Sequence, residues 1–363
     1  MAFDSVPWGL AIAVGTQSAL GTINATIRDL TGTINADTEG LILGDPESGI
    51  GESGIDVKFN REFTENAVLA NLTRQPSSFL RQAIEGLTVA FKLSGNRNVL
   101  GAVGDADFAL DPGIDAILKG FSLTPSAWGG GNGQIYVPGS ITYLTVAVWL
   151  TAKTGSPFAL KWVFQDCIAS GSIEFTPAGY GVVTANLEVG SVPAFAGSWT
   201  AYEQTVQPVF DYDEQTVSAP VVQGVANIWA ETRGFRSLSI NFENSIEQLE
   251  DSNSLTGLTP RITARDIGIE AELYMDATDL DFEVNELIRT TTPTNALTFT
   301  VPNSAPDATP TIIGATARAY KVNVPTPELR SFKPGRAGDV ATVEVELAAV
   351  AASANAEFEL IFL

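Results

Sequence analysis

Ile267-Gly-Ile-Glu-Ala-Glu-Leu-Tyr-Met275 puts Ile267, Ile269, Ala271, Leu273 and Met275 at every second position, with Gly268, Glu270, Glu272 and Tyr274 between them. A period of two lays the first set on one face of an extended strand and the second on the other. The pattern recurs along the chain. Ile55, Val57 and Phe59 alternate with Asp56, Lys58 and Asn60, and Leu87, Val89, Phe91 and Leu93 follow the same rule. So do Val183, Ala185, Leu187 and Val189, then Leu238, Ile240 and Phe242, then Ala341, Val343, Val345 and Leu347. Thirty-three glycines and 19 prolines in 363 residues supply the turns. The chain therefore reads as mainly β, built from antiparallel sheets with one buried face each.

Helical spacing is scarce. Ser77 to Glu85 brings Phe79, Leu80, Ala83 and Ile84 to one face, with Pro76 before it and Gly86 after it, which predicts a short helix. A second is predicted from Asp279 to Ile288, with Phe282, Val284, Leu287 and Ile288 apolar.

The two halves look related. Phe175-x-Pro177-x3-Gly181 and an alternating strand recur as Phe332-x-Pro334-x3-Gly338 and another alternating strand, 157 residues later. Upstream, the strands at Ile55 to Phe59 and Leu87 to Leu93 match those at Leu238 to Phe242 and Ile269 to Met275. Order and type agree across three blocks, as an internal duplication requires. The expected organisation is two related β-sandwich or barrel domains, each flanked by about one short α-helix. The first covers residues 1–200 with an inserted region at about 95–157, and the second covers 201–363. Inside the insertion lies Trp128-Gly129-Gly130-Gly131-Asn132-Gly133. That run is either a bare hairpin tip or an arm that anchors on a neighbouring subunit through Trp128.

Composition excludes most chemistry. The chain has no histidine and a single cysteine, Cys167. Ser-His-Asp and Cys-His relays, His-ligated metals and intrachain disulfides are therefore impossible. Cys167, among Trp162, Val163, Phe164 and Ile168, reads as a small core residue. Forty-two acids against 20 bases give a net charge of -22, and such a surface repels nucleic-acid phosphates. Arg233, Arg236, Arg261, Arg265, Arg330, Lys333 and Arg336 are the nearest approach to basic clusters; ion pairs between strands or subunits are their expected use. No stretch approaches the roughly 20 apolar residues of a membrane span and no targeting segment is visible, so a soluble protein made in a reducing compartment is expected.

Near misses in the sequence fail on context. Gly49-Ile-Gly51-Glu-Ser-Gly54 has the letters of a dinucleotide fingerprint but is followed by a strand. Asp105, Asp107, Asp111 and Asp115 lack the glycine and distal glutamate of a calcium loop. Paired carboxylates are the one catalytic device left, and with 42 acids their presence discriminates nothing. No enzyme, cofactor or metal is expected.

Four segments resemble the major tail tube proteins of long-tailed bacteriophages. They are Trp8-Gly-Leu-Ala-Ile-Ala-Val-Gly-Thr16, Phe79-Leu-Arg-Gln-Ala-Ile-Glu-Gly-Leu-Thr-Val-Ala-Phe91, Ile173-Glu-Phe-Thr-Pro-Ala-Gly-Tyr-Gly-Val-Val-Thr184 and the close from Val343 to Leu363. The resemblance covers most of the chain by pattern and implies tail-tube-like domains whose inner sheets join neighbours into a barrel around a lumen. Rings stack into a tube that conducts DNA without binding it specifically. The implied partners are further copies of the chain, together with tail terminator, tape-measure and baseplate proteins, and the implied location is the virion, after assembly in the host bacterial cytoplasm. Two copies per chain predict trimeric, pseudo-sixfold rings, or hexameric rings if the second copy is external decoration. Two alternatives remain open: a baseplate or tail-tip hub ring, and a carbohydrate-binding sandwich on the virion surface. The six tryptophans (Trp8, Trp128, Trp149, Trp162, Trp199, Trp229) are scattered, unlike the aromatic cluster of a binding pocket.

Overall fold

The computed structural model describes residues 8–24, 41–44, 55–64, 78–92, 112–127, 134–152, 159–177, 181–190, 225–228, 231–250, 258–275, 297–301, 320–351, 353 and 355–362. Strands dominate, and every pairing is antiparallel. In the first half they are β1 (Trp8–Thr16), β2 (Leu41–Gly44), β3 (Ile55–Thr64), β4 (Ser78–Lys92), β5 (Leu123–Ala127), β6 (Gln134–Pro138), β7 (Leu144–Ala152), β8 (Ala159–Phe175) and β9 (Gly181–Glu188). The second half holds β10 (Val225–Ile228), β11 (Glu231–Arg233), β12 (Phe235–Glu250), β13 (Leu258–Tyr274), β14 (Leu297–Val301), β15 (Tyr320–Val324), β16 (Pro327–Ala337), β17 (Val340–Ala349) and β18 (Glu359–Phe362). Among the described residues there is one α-helix, α1 (Pro112–Gly120).

The large sheet contains the continuous run β3-β4-β9-β8-β12-β13-β17-β16. Its first four strands and its last four have the same connectivity: a hairpin, then the final strand of the unit, then the penultimate one. The registers repeat as well. Ile55 opposite Val89 becomes Leu238 opposite Ala271, and Leu87 opposite Leu187 becomes Ile269 opposite Leu347. Gly86 opposite Lys58 becomes Gly268 opposite Asn241.

Outside this run the correspondence continues. The arm β2-β1-β7 ends on the first half of β8, as β11-β10-β14 ends on β15. In the second half, Pro325-Thr326 separates β15 from β16, which opens on Pro327, where β8 runs on unbroken, because proline removes ladder donors. Among the described residues α1, β5 and β6 lie in the first half between the matched strands, within the insertion expected at about 95–157. β5 and β6 join the β15–β18 edge of the smaller, seven-stranded sheet, so the two halves share both sheets.

One core holds the layers together. Ile173, Val183, Ile240, Ile269 and Leu347 cross the inner face of the large sheet at successive register positions. Ile114, Ile117, Leu118 and Phe121 from α1 and its end, Tyr136 from β6, and Val322, Val324, Phe358 and Leu360 complete the same cluster. Cys167 lies in it, fully buried, and burial pushes its thiol pKa up, in keeping with a packing role.

Two expectations need correction. Residues 78–92 form β4, not the helix expected at Ser77 to Glu85. Register shifts opposite Lys58/Phe59 and Glu62/Phe63 leave Glu85 and Leu80 as extra residues. These bulges break the period of two, and the broken period imitates helical spacing. The helix of this half is α1, whose Pro112 start and Ile114, Ile117, Leu118, Phe121 spacing follow ordinary helix rules. The helix expected at Asp279 to Ile288 lies outside the described residues.

The second correction concerns the repeat-defining turn. Phe175 pairs with Gly181, so the first turn follows Phe175 at once. Phe332 pairs with Val345, Pro334 with Val343, and Gly338 sits in the turn itself with φ +62°. Register makes Arg336 opposite Ala341, not Phe332, the counterpart of Phe175 opposite Gly181. Both phrases mark corresponding hairpins, but their letters do not superimpose.

Candidate functional site

The face of the large sheet opposite the core is an organised polar surface. Its rows follow from strand phase. Glu174, Ser239, Glu270, Glu346 and Ser331 lie side by side across five strands, and Ser237, Glu272, Glu344 and Lys333 form the next row. Toward the first half, Ser172 opposite Thr184 and Asn186 opposite Thr88 continue the surface. On β8, β9, β12, β13 and β17 these positions alternate with core residues, so the alternation that buries one face also builds this one.

Side chains on this face bond chiefly to one another. Thr88 Oγ1 donates to Asn186 Oδ1 at 2.9 Å, Asn241 Nδ2 to Glu270 at 3.1 Å, and Ser331 Oγ to Glu346 at 3.0 Å. Lys333 Nζ meets Glu344 at 2.8 Å, and that hydrogen bond holds the ammonium pKa above its ordinary value. Arg236 reaches Glu272 at 2.9 Å and Arg330 reaches Asp266 at 2.7 Å. Both arginines are the extra residues of bulges, at the shifts Phe235/Ser237 and Leu329/Ser331, and a bulge re-aims the side chain it adds.

Side chains on this face include Glu174, Glu188, Glu243, Asp266, Glu270, Glu272, Glu344 and Glu346, accompanied by Arg236, Arg330 and Lys333. These three cations each meet a carboxylate in the sheet. Acids and hydroxyls predominate among these side chains, and a surface rich in them repels phosphates more than it grips them. Exposed pairs of this kind add little stability, about 0–1 kcal/mol each, so their placement bears on surface charge more than on folding.

Arg265 does something different. Its guanidinium donates to Glu357 Oε1 at 2.5 Å, to the Gly139 carbonyl at 3.2 Å and to the Ser122 carbonyl at 3.5 Å, with Asn355 Oδ1 at 3.4 Å. One β13 side chain therefore ties the α1–β5–β6 insertion and the segment before β18 to the second half. Glu357 is buried, and its Oε2 has no partner among the described residues. Arg265→Ala strands that carboxylate and is expected to cost about 2–3 kcal/mol, read as a fall in chemical-denaturation midpoint. Arg265→Lys should recover less than half of the loss, since an ammonium cannot serve the same fork of acceptors.

The other predicted residues are dispersed. Asp115 sits on α1, where Lys119 Nζ meets it at 2.5 Å and Tyr136 Oη donates to it at 2.6 Å. Burial, then the Asp115 charge, pushes the Tyr136 phenol pKa far up, which keeps it a neutral hydrogen-bond donor. Asp105, Asp107, Asp111, the Gly49–Gly54 segment and the loop Trp128, Gly129, Gly130, Gly131 lie outside the described residues; β5 and β6, which flank that loop, pair with each other. Pro177 is exposed at the end of β8 and Gly181 opens β9. Asp166, with φ +56°, accepts from Gly21 N at 2.8 Å; burial raises its pKa and the Gly21 bond opposes the rise.

Among the described residues no group of three or more His, Cys, Asp or Glu is placed to hold a metal ion, and no helix is long and apolar enough to cross a membrane. Comparison with protein-family models and with curated proteins returns no match for this chain.

Sequence reasoning found the alternation but not the identity of this face, because phase alone separates two faces without saying which is covered. It also placed Arg265 among seven scattered cations. The Gly139 and Glu357 partners lie 126 and 92 residues away in sequence, so no local pattern could single it out. Five of the seven cations are seen paired with acids: Arg236, Arg265, Arg330, Lys333 and Arg336.

Proposed function

We propose that this chain is a structural subunit that closes into rings and stacks into a tube, the tail tube of a long-tailed bacteriophage, with the polar face of the large sheet lining the lumen. The observation that carries the reading is the repeated four-strand unit within one continuous sheet. Such a unit, already joined once to its own copy, has a shape that can be joined again. Among the described residues β3 and β16 each have a neighbour on one side only, and unsatisfied edges are what association removes. Edge charges on β16 (Arg330, Lys333, Arg336), together with Pro334 and its bulge, restrain indiscriminate pairing before assembly.

Two units per chain favour rings of three chains with pseudo-sixfold symmetry. An acidic lumen wall lets DNA pass without adhering, because phosphate affinity depends on free cations and Arg236, Arg330 and Lys333 are bound to the sheet's own acids. No catalytic step belongs to this role. The test is negative-stain microscopy with mass photometry of the purified protein at high concentration. Hollow rings or tubes whose unit mass is three chains are expected; a chain that stays monomeric under all assembly conditions overturns the reading.

A further inference from the structure

We infer that β3 of one chain pairs antiparallel with β16 of the next in one defined register: Ile55 opposite Arg336, Asp56 opposite Gly335, Val57 opposite Pro334, Lys58 opposite Lys333 and Phe59 opposite Phe332. The inference deepens the ring reading and rests on it. Its basis is the junction between the two four-strand units inside the chain, where β8 and β12 pair through Phe175–Leu238, Glu174–Ser239, Ile173–Ile240, Ser172–Asn241 and Gly171–Phe242.

Each strand of that junction has a counterpart at an edge that is open among the described residues. β12 opens the second unit as β3 opens the first: Leu238 faces Ala271 as Ile55 faces Val89, and Ile240 faces Ile269 as Val57 faces Leu87. β16 closes the second unit as β8 closes the first: Pro334 faces Val343 and Arg336 faces Ala341, as Ile173 faces Val183 and Phe175 faces Gly181. Carrying the internal junction onto the free edges gives the stated register without adjustable choices. Repeating one junction between like units applies one rotation again and again, and that is how a heterologous contact closes into a ring.

Local geometry agrees. The regular part of β16 runs from Ser331 to Ala337, bounded by its bulge, and the regular start of β3 runs from Ile55 to Lys58 before its first shift. A slip of one residue would exchange the two faces of the incoming unit. Pro334 has no N–H, so the pairing is one ladder bond poorer there.

The register is tested by cysteine pairs in the full-length chain. Cys167, the native cysteine, is fully buried and gives little background. Lys58→Cys with Lys333→Cys is compared with two pairs slipped by two residues, Lys58→Cys with Ser331→Cys and Asp56→Cys with Lys333→Cys. Assembly of each variant is first checked by mass photometry under reducing conditions. On mild oxidation the in-register pair should cross-link at least about tenfold faster than either slipped pair, since directly opposed positions lie within disulfide reach and diagonal ones do not. The non-reducing gel ladder should end at three chains. Assembled rings that cross-link best through a slipped pair, or through none, overturn the register while leaving the ring reading intact. Failure of the native chain to form rings overturns both.

Discussion

Gly171→Ala should lower stability by about 3–5 kcal/mol, the cost of a backbone that cannot yield. Gly171 adopts φ +155°, and a Cβ built there would lie 1.9 Å from the Thr184 carbonyl oxygen and 3.1 Å from Ala185 Cα. Both obstacles are main chain of β9, so relief requires moving a whole strand. The position is also where three strands meet, since Gly171 faces Ala185 on one side and Phe242 on the other. Moving β9 away therefore loosens the junction of the two units as well as a hairpin. Gly338 is the control: its φ is +62°, but a Cβ added there would meet nothing within 4 Å, so Gly338→Asn should cost under about 1 kcal/mol. Thermal unfolding of the two variants separates them. Equal, small shifts would mean that the close approach at Gly171 is absent in solution.

Phe242→Ala should cost about 3–5 kcal/mol, the range for truncating a fully buried aromatic. The Phe242 ring stacks on Phe121 with centroids 5.0 Å apart and planes 9° from parallel. Phe358 meets it edge-on at 5.4 Å and 86°. Phe121 follows α1, Phe242 belongs to β12, and Phe358 precedes β18, so one side chain fastens the insertion and the chain end to the second unit. Phe242→Leu keeps most of the volume and should cost about 1–2 kcal/mol. Because Phe242 and Gly171 are register partners, a double substitution should cost less than the two single losses added together. Calorimetry on the three variants checks the series, and a Phe242→Ala loss below about 1 kcal/mol would contradict the packing described.

The strands that alternate cleanly were legible in the sequence because one physical rule, a buried face every second residue, governs them. Leu238 to Phe242, Ile267 to Leu273, Val183 to Leu187 and Val343 to Leu347 all sit in strands with those residues in the core. The start of β4 was not legible: two bulges disturb the period, and only pairing with β3 fixes it as strand. Helix α1 carried a readable signal, Pro112 at its start and apolar residues at helical spacing, but its neighbourhood of aspartates and glycines reads first as loop.

The related halves were visible as three matching blocks, and the sheet orders those blocks identically. The phrase built on Phe175 and Phe332 nevertheless misplaces the hairpin register, because two different turns, one after Phe175 and one at Gly338–Asp339, close corresponding strand pairs. The polar face became identifiable only once the core on the opposite side was seen. Arg265 could not be read at all without it, since the clamp is assembled from segments that meet only in the folded chain.

The proposed ring joins two copies of one four-strand unit within the chain and again between chains, and walls a lumen with the acidic face of their sheet. Cryo-electron microscopy of the assembled particle is its sharpest test. Three chains per ring are expected, with six four-strand units in a continuous inner wall and Glu270, Glu272, Glu344 and Glu346 facing the channel. A ring of six chains, or a wall formed by the smaller sheet with those glutamates on the outside, would contradict it.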